Sequence, residues 1–140
     1  RTLDLSQRVG TSYQEPELKV VAIPRNSRNQ YLTTAMINGR MVEVMVDTGA
    51  NVVAMSARHA KDLGIDATTG KQGAIETASG VISGRSITLN SVSVGGIEVN
   101  NVNASVVASD YPATVLLGMS YLRHVKIEEN NGIMSLSRAE

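Results

Sequence analysis

Short apolar segments, separated by clusters of Gly, Asn and Ser, follow one another along most of the chain. Val and Ile dominate these segments, and this pattern is typical of β-strands joined by tight turns. The pattern predicts an all-β domain. The predicted strands lie at residues 18–23, 31–37, 40–46, 51–55, 71–89 (a long hairpin), 91–94, 97–99, 102–108, 114–117, 126–129 and 133–136.

Turn signals separate several of these segments. Asn38-Gly39 lies between two apolar runs, where both residues accept the positive φ of a type I′ hairpin turn. Gly95-Gly96 predicts a second tight hairpin, and residues 130–132 (Asn-Asn-Gly) predict a third turn. The long hairpin at residues 71–89 has its predicted tip at residues 77–80.

Two short helices interrupt the strand pattern. Ser56 is a suitable N-cap for a helix that runs to Leu63, and Gly64 is a suitable C-terminal stop. Residues 119–125 predict one or two further helical turns. Residues 1–17 are polar and without a period, so we expect an N-terminal arm before a domain at residues 18–140. Pro24 is expected to end the first strand.

Composition excludes several functions. A chain of 140 residues fits one domain, and its 13 basic and 13 acidic side chains give no electrostatic case for nucleic-acid binding. The absence of Cys excludes a thiol nucleophile, a disulfide framework and a Cys-based zinc site. His59 and His124 lie far apart in sequence and are expected to face solvent. We therefore expect neither a metal nor another cofactor.

Asp47 is the strongest candidate for chemistry. It follows Val44, Met45 and Val46, a run predicted to be buried on both faces, so its carboxylate should lie at the end of a buried strand. Residues 47–50 (Asp-Thr-Gly-Ala) form a narrow turn in which backbone amides could hydrogen-bond that carboxylate. The alternative is a plain turn in a monomeric structural domain, since Asp, Thr and Gly are all turn formers.

One carboxylate is insufficient for hydrolysis by general acid–base catalysis. One group must activate water as a base while another protonates the carbonyl oxygen as an acid. The sequence contains no second Asp-Thr-Gly and no Asp-Ser-Gly. A second Asp47 from an identical chain would complete the pair on a two-fold axis.

Two segments carry a family resemblance. Residues 44–50 (Val-Met-Val-Asp-Thr-Gly-Ala) resemble the active-site signature of retropepsin-type aspartic proteases, and residues 115–118 (Val-Leu-Leu-Gly) resemble their second signature. Residues 18–138 are similar to bacterial single-lobe members of this clan. The matching features are Asn38-Gly39 before the signature strand, Leu63-Gly64 after a short helix, and residues 117–122 (Leu-Gly-Met-Ser-Tyr-Leu).

The resemblance implies a fold and a set of roles. It implies a single-lobe, retropepsin-like closed β-barrel with one or two short helices that forms a two-fold homodimer. Asp47 would be the catalytic carboxylate, Thr48 would hydrogen-bond across the axis, and the Gly49 backbone would hold the carboxylates and contact substrate. The terminal strands, including residues 133–136, would help to form the dimer as edge strands. Substrate would further contact Ala50, Asn51 and the flap tip Thr77, Ala78, Ser79 and Gly80, with Leu117 and Gly118 beneath the active site.

Two positions depart from the retroviral pattern. Retroviral members have Asp after the Ala and Arg after the second-signature Gly, where this chain has Asn51 and Met119. Both partners of that ion pair are absent together, so no unpaired charge is left buried. This departure supports an alternative function, a catalytically weak or inactive dimeric module that binds peptides.

The resemblance also implies partners and a location. The expected partners are a second copy of the chain and an extended peptide or protein substrate. Bacterial relatives carry an N-terminal membrane anchor, which implies a membrane-tethered, periplasmic protein whose membrane contact lies outside this chain.

Overall fold

The computed structural model describes residues 19–77 and 80–138, with the main chain only for Glu76 and Thr77. These residues form mostly strands, as the sequence predicted. The elements are β1 (Val20–Pro24), β2 (Leu32–Ile37), β3 (Arg40–Val46), β4 (Val53–Ser56), α1 (Ala57–Asp62), a 3₁₀ turn (Ala67–Thr69), β5 (Lys71–Thr77), β6 (Gly80–Val94), β7 (Ile97–Val107), β8 (Val115–Leu117), α2 (Met119–Leu122), β9 (Val125–Asn130) and β10 (Ile133–Arg138).

Six strands close into a barrel in the order β2-β3-β8-β4-β7-β6, because β2 also pairs with β6. The closing contacts join Met36 to Ser93 and Ile37 to Val92. The pairings β3–β8 and β4–β7 are parallel, and the other barrel pairings are antiparallel. Strand β5 pairs with β6 outside the closed ring. The predicted all-β closed barrel with short helices is therefore confirmed.

The barrel core is built from the alternating apolar residues of these strands. Tyr121, from α2, is completely buried, and its hydroxyl donates a hydrogen bond to the Ile97 carbonyl at 2.7 Å. Burying each large aliphatic side chain contributes roughly 1.5–3 kcal/mol. The largest buried side chains also include Ile23, Ile37, Met55, Leu89, Leu117, Leu122 and Leu136.

A separate three-stranded sheet, in the order β1-β10-β9, contains both ends of the described chain. Strand β10 lies in the middle and pairs on both sides, so the expectation that residues 133–136 form a free edge is wrong. The first strand ends at Pro24, as predicted, and Pro24 itself lies opposite Ile133 as the last residue of β1. Proline is tolerated there because β1 is an edge strand.

Strands β6 and β7 are longer than the strands predicted in this region. The sequence indicated a hairpin at residues 71–89, a second at 91–99 and a separate strand at 102–108, but β6 and β7 are each continuous. The pairing register is the same on both sides of Asn90 and Asn101. Asn90 and Asn101 are not paired with each other, and beside this gap the Asn90 and Ser91 amides donate hydrogen bonds to Asn38 Oδ1 at 2.9 and 3.3 Å.

The predicted local turn and helix cap are confirmed. Asn38 and Gly39 have φ values of 51° and 83°, which confirms the type I′ turn. Ser56 caps α1 by accepting a hydrogen bond from the His59 amide at 3.2 Å. His59, which was expected to face solvent, is half-buried, and its Nδ1 accepts a hydrogen bond from the Ser56 amide at 3.1 Å. His59 thus completes the cap in the place where Glu or Gln is usual.

Candidate active site

The Asp47 turn is held by main-chain hydrogen bonds. Asp47 follows β3, and its amide donates to the Leu117 carbonyl at 3.1 Å. Its own carbonyl accepts from the Ala50 amide at 3.2 Å, and its Oδ1 accepts from the Gly49 amide at 2.9 Å. A Cβ on Gly49 would lie 3.3 Å from that same Oδ1. The turn therefore fixes the direction of the carboxylate, and a side chain at position 49 would be in tight contact with it.

Asp47 is accessible in the single chain. Val44 and Val46 before it are buried, Met45 is half-buried, and Asp47 itself is half-buried. Thr48 is exposed at the tip of the turn. The strand is thus buried less completely than the sequence indicated, and the turn presents its polar side chains outwards.

Residues 117–118 lie directly behind this turn. Strand β8 pairs in parallel with β3, which places Leu117 beside Val46. A Cβ on Gly118 would lie 2.2 Å from the Val52 carbonyl oxygen and 2.8 Å from the Ala50 carbonyl oxygen. Both obstacles are backbone atoms, so only glycine allows β8 and the Asp47 turn to approach this closely.

Helix α2 supports the turn from the other side. The Met119 amide donates to the Ala50 carbonyl at 2.8 Å. The Ser120 hydroxyl accepts from the Val53 amide at 3.0 Å and donates to the Asn103 carbonyl at 2.7 Å. Ser120 therefore joins α2, β4 and β7 at the base of the site.

Asp47 lies in an open cleft of about 880 Å³. Gly49, Ala50, Asn51 and Gly80, all predicted site residues, line the same cleft. Thr77 pairs with Gly80 through its main chain at the end of the β5–β6 hairpin. The predicted flap-tip residues 78–79 lie outside the described residues. Leu117 and Gly118 are buried behind the turn and are not part of the cleft wall.

Electrostatically, Asp47 is alone among the described residues that line the cleft, since the others are uncharged. Asp110, on a nearby loop, instead lies 3.7 Å from Arg58 in an exposed ion pair. Within residues 19–77 and 80–138, no three His, Asp or Glu side chains are grouped closely enough to hold a metal ion. Among the described residues, the cleft therefore offers one carboxylate per chain for chemistry.

Two comparisons with known proteins identify the family. Residues 33–124 match the family described as "gag-polyprotein putative aspartyl protease", and this segment contains both the Asp47 turn and Gly118. A retropepsin-like aspartic protease from Rickettsia conorii superimposes with a TM-score of 0.77 and 32% identity, covering 91% of this chain and 97% of that one. This chain belongs to the retropepsin-like aspartic protease family.

Other relatives of this retropepsin-like chain agree in fold or in sequence. EIAV protease, in complex with the inhibitor HBY-793, shares the fold with a TM-score of 0.56 at 22% identity, covering 70% of this chain and 89% of that one. An uncharacterized protein in the cobV 5′ region of Sinorhizobium sp is 31% identical over 103 residues, which is 73% of this chain and 44% of that protein. An uncharacterized protein of Rickettsia prowazekii (strain Madrid E) is 32% identical over 111 residues, which is 79% of this chain and 47% of that protein. The chain thus spans less than half the length of these curated relatives.

The two positions that depart from the retroviral pattern have different environments. Asn51 is exposed and lines the cleft, whereas Met119 is half-buried and packs against the core. The bond from the Met119 amide to the Ala50 carbonyl joins the two segments through main-chain atoms. The retropepsin-like chain therefore connects its two signatures here without an ion pair.

Sequence reasoning missed several cleft residues. Ser86, Ser105, Leu116 and Tyr111 all line the cleft beside Asp47. The first three reach it because strand pairing places them side by side, and no local motif marks such a position. Ser120 belongs to a segment that carries the family resemblance, but the sequence did not predict its structural role. Its two hydrogen bonds support the turn.

Proposed function

We propose that this chain is one subunit of a homodimeric aspartic endopeptidase. The observation that carries the proposal is Asp47, the only carboxylate among the described residues lining the cleft of a retropepsin-like fold. A fixed turn that presents one carboxylate per chain supports a site completed by a second copy. In a two-fold dimer, Asp47 of each chain would meet on the axis.

The proposed chemistry uses the two carboxyl groups in different protonation states. Two carboxyls held close together share one proton because both cannot ionise, as in aspartic proteases generally. The ionised Asp47 takes a proton from water as it attacks the peptide carbonyl carbon, and the protonated partner donates to the carbonyl oxygen. Collapse of the tetrahedral intermediate then transfers a proton to the leaving amine.

The neighbouring residues have supporting roles in this proposal. Thr48 is exposed at the tip of the turn, where it could hydrogen-bond across the dimer axis. The backbone of Gly49 holds the carboxylate, while Ala50 and Asn51 contact the extended peptide. Residues 77–80 at the end of the β5–β6 hairpin would close over the substrate and exclude water.

The alternative is a dimeric peptide-binding module of the same fold with little or no turnover. Asn51 and Met119, in place of a charged pair, favour it. This module would bind peptides in both the wild type and Asp47→Asn and would cleave in neither.

Subunit mixing tests whether two chains share the site. Asp47→Asn is added to an equal amount of wild type, with substrate in excess, and the pairs are allowed to exchange. Random pairing leaves about half of the wild-type chains in wild-type pairs, so activity should fall to about half. Serum albumin added in the same amount is the control. Undiminished activity would show that each chain acts alone.

The proposed membrane attachment and cellular location are separate from the proposed activity. Among residues 19–77 and 80–138, no helix is long and apolar enough to cross a bilayer. Attachment to a membrane through a segment outside this chain, and a periplasmic location, stay predictions.

A further inference from the structure

A row of four side chains crosses the floor of the cleft. Leu116 of β8 pairs with Ala54 of β4, Ala54 pairs with Ser105 of β7, and Ser105 pairs with Ser86 of β6. All four line the cleft that contains Asp47. Neighbouring strands lie about 4.8 Å apart, so the row extends over roughly 15 Å. Its half nearer the catalytic turn is apolar, and its far half carries two hydroxyls.

This row lies on the opposite face of the sheet from the hydrophobic core. On β7, Ala104 and Val106 belong to the core cluster, whereas Ser105 between them does not. Ala54 and Leu116 are likewise buried without belonging to that cluster. The row is therefore a floor available to a bound molecule.

Ser105 has an unusual environment for a buried polar residue. It is only 7% exposed, yet within residues 19–77 and 80–138 its hydroxyl makes no hydrogen bond to the protein. The buried Ser56 and Ser120, by contrast, each have a bonded hydroxyl. Buried polar groups are nearly always hydrogen-bonded, because an unmade bond is costly. A buried hydroxyl in a cleft wall is thus suited to a polar group of a ligand.

The charge of the cleft limits which kinds of ligand side chain can bind to the Ser105 hydroxyl. Apart from Asp47, the described lining residues are uncharged, so a charged side chain reaching Ser105 would be desolvated without a partner. A neutral carboxamide has two N–H donors and one acceptor oxygen, and serine hydroxyls can both donate and accept. Asn and Gln therefore fit this end of the row better than Lys, Glu or Leu.

We propose that Ser105, assisted by Ser86, forms the polar end of a subsite that selects substrates with Asn or Gln near the scissile bond. Leu116 and Ala54 contact the aliphatic part of the same side chain. This inference rests on the proposed peptidase function, because it names the substrate class of that site.

Paired peptides test the subsite. A mixed peptide library cleaved by the wild type first identifies the position where Asn and Gln are enriched. Two peptides are then compared that differ only by Gln or Met at that position. The wild type should prefer Gln, and Ser105→Ala should lower the Gln-to-Met ratio of kcat/KM about three- to tenfold through the lost hydrogen bond. Ser86→Ala should lower it in the same direction, and the control Ser93→Ala, on β6 outside the cleft, should leave it unchanged.

Binding separates this inference from catalysis. The same two peptides, or, where the wild type cleaves nothing, a Gln/Met pair based on a library peptide that Asp47→Asn retains, are labelled with fluorescein and titrated with Asp47→Asn and with the double variant Asp47→Asn/Ser105→Ala. If the wild type cleaves nothing but Asp47→Asn prefers the Gln peptide and loses that preference in the double variant, the peptidase proposal fails and the subsite stands. Equal affinity and equal cleavage of both peptides would overturn the subsite. The absence of both binding and cleavage would overturn both proposals.

Discussion

The amide of Asp47 donates a hydrogen bond to the carbonyl of Leu117 at 3.1 Å, although the two residues are seventy positions apart. This bond continues the parallel pairing of β3 with β8 into the candidate catalytic turn. The position of the carboxylate consequently depends on how closely the segment around Gly118 packs behind it. Two of the predictions below concern this support.

Gly118→Ala should destabilise the protein. The new Cβ would lie 2.2 Å from the Val52 carbonyl oxygen, and backbone on both sides would have to move, at a cost of about 1–3 kcal/mol or more. Urea unfolding measures the free-energy change. Gly73→Ala is the matched control, because nothing lies within 4 Å of its Cβ position and its φ is not positive. Equal stability of the two variants would contradict the packing described here.

Ser120→Ala should also be costly. The change removes the acceptor for the buried Val53 amide and the donor for the Asn103 carbonyl, at a cost of about 1–3 kcal/mol that comes mainly from the buried amide left without a partner. Thermal or urea unfolding of the variant gives the value. Ser137→Ala, a half-buried serine in the separate three-stranded sheet, should change stability by less than about 0.5 kcal/mol. A loss no larger at Ser120 than at Ser137 would mean that α2 does not support the site through this hydroxyl.

Tyr121 should make the fold sensitive to alkaline pH. Burial raises the pKa of Tyr121 to about 12, whereas a tyrosine in the unfolded chain ionises near pH 10. The stabilisation is fully present below about pH 10 and is lost as pH rises towards 12, because the unfolded state releases its proton first. The slope of the unfolding free energy against pH reports the difference in bound protons between the unfolded and folded states. Tyr121→Phe should reduce this difference in the same pH window by up to about one proton.

Part of that alkaline slope should remain in Tyr121→Phe. The hydrogen bond from the Tyr31 hydroxyl to Glu129 raises the pKa of Tyr31, which acts in the same direction. An unchanged slope in Tyr121→Phe, measured by urea unfolding at a series of pH values, would refute the assignment.

The sequence predicted the features that local chemistry determines. Asn38-Gly39 requires positive φ, Ser56 can cap a helix, and Asp47 follows an apolar strand, so the turn, the helix and the candidate catalytic residue could all be located in advance. Features that depend on which strands become neighbours could not. Separate strands were predicted on either side of Asn90 and of Asn101, but β6 and β7 run through both positions, and the distant Asn38 side chain accepts hydrogen bonds from the Asn90 and Ser91 amides.

The same limit applies to the cleft. Ser105 resembles any other polar residue of an alternating strand, and only its pairing with Ala54 and Ser86 places it on the cleft floor. The central position of β10 was missed for a similar reason, since an element near the end of the chain is not necessarily at the edge of a sheet. Local patterns specify elements, whereas burial and pairing partners arise from the closed barrel.

The most direct test of the account is cleavage of a mixed peptide library at micromolar protein from about pH 4 to pH 7, comparing wild type with Asp47→Asn. Asn keeps an oxygen acceptor for the Gly49 amide, so the variant should fold normally, as circular dichroism would verify. Cleavage by the wild type alone, with an acidic to near-neutral optimum because one carboxyl of the pair must be protonated and the other ionised, is the predicted result. Equal cleavage by the two proteins, or none by a wild type shown to be a folded dimer, would contradict the proposed aspartic endopeptidase.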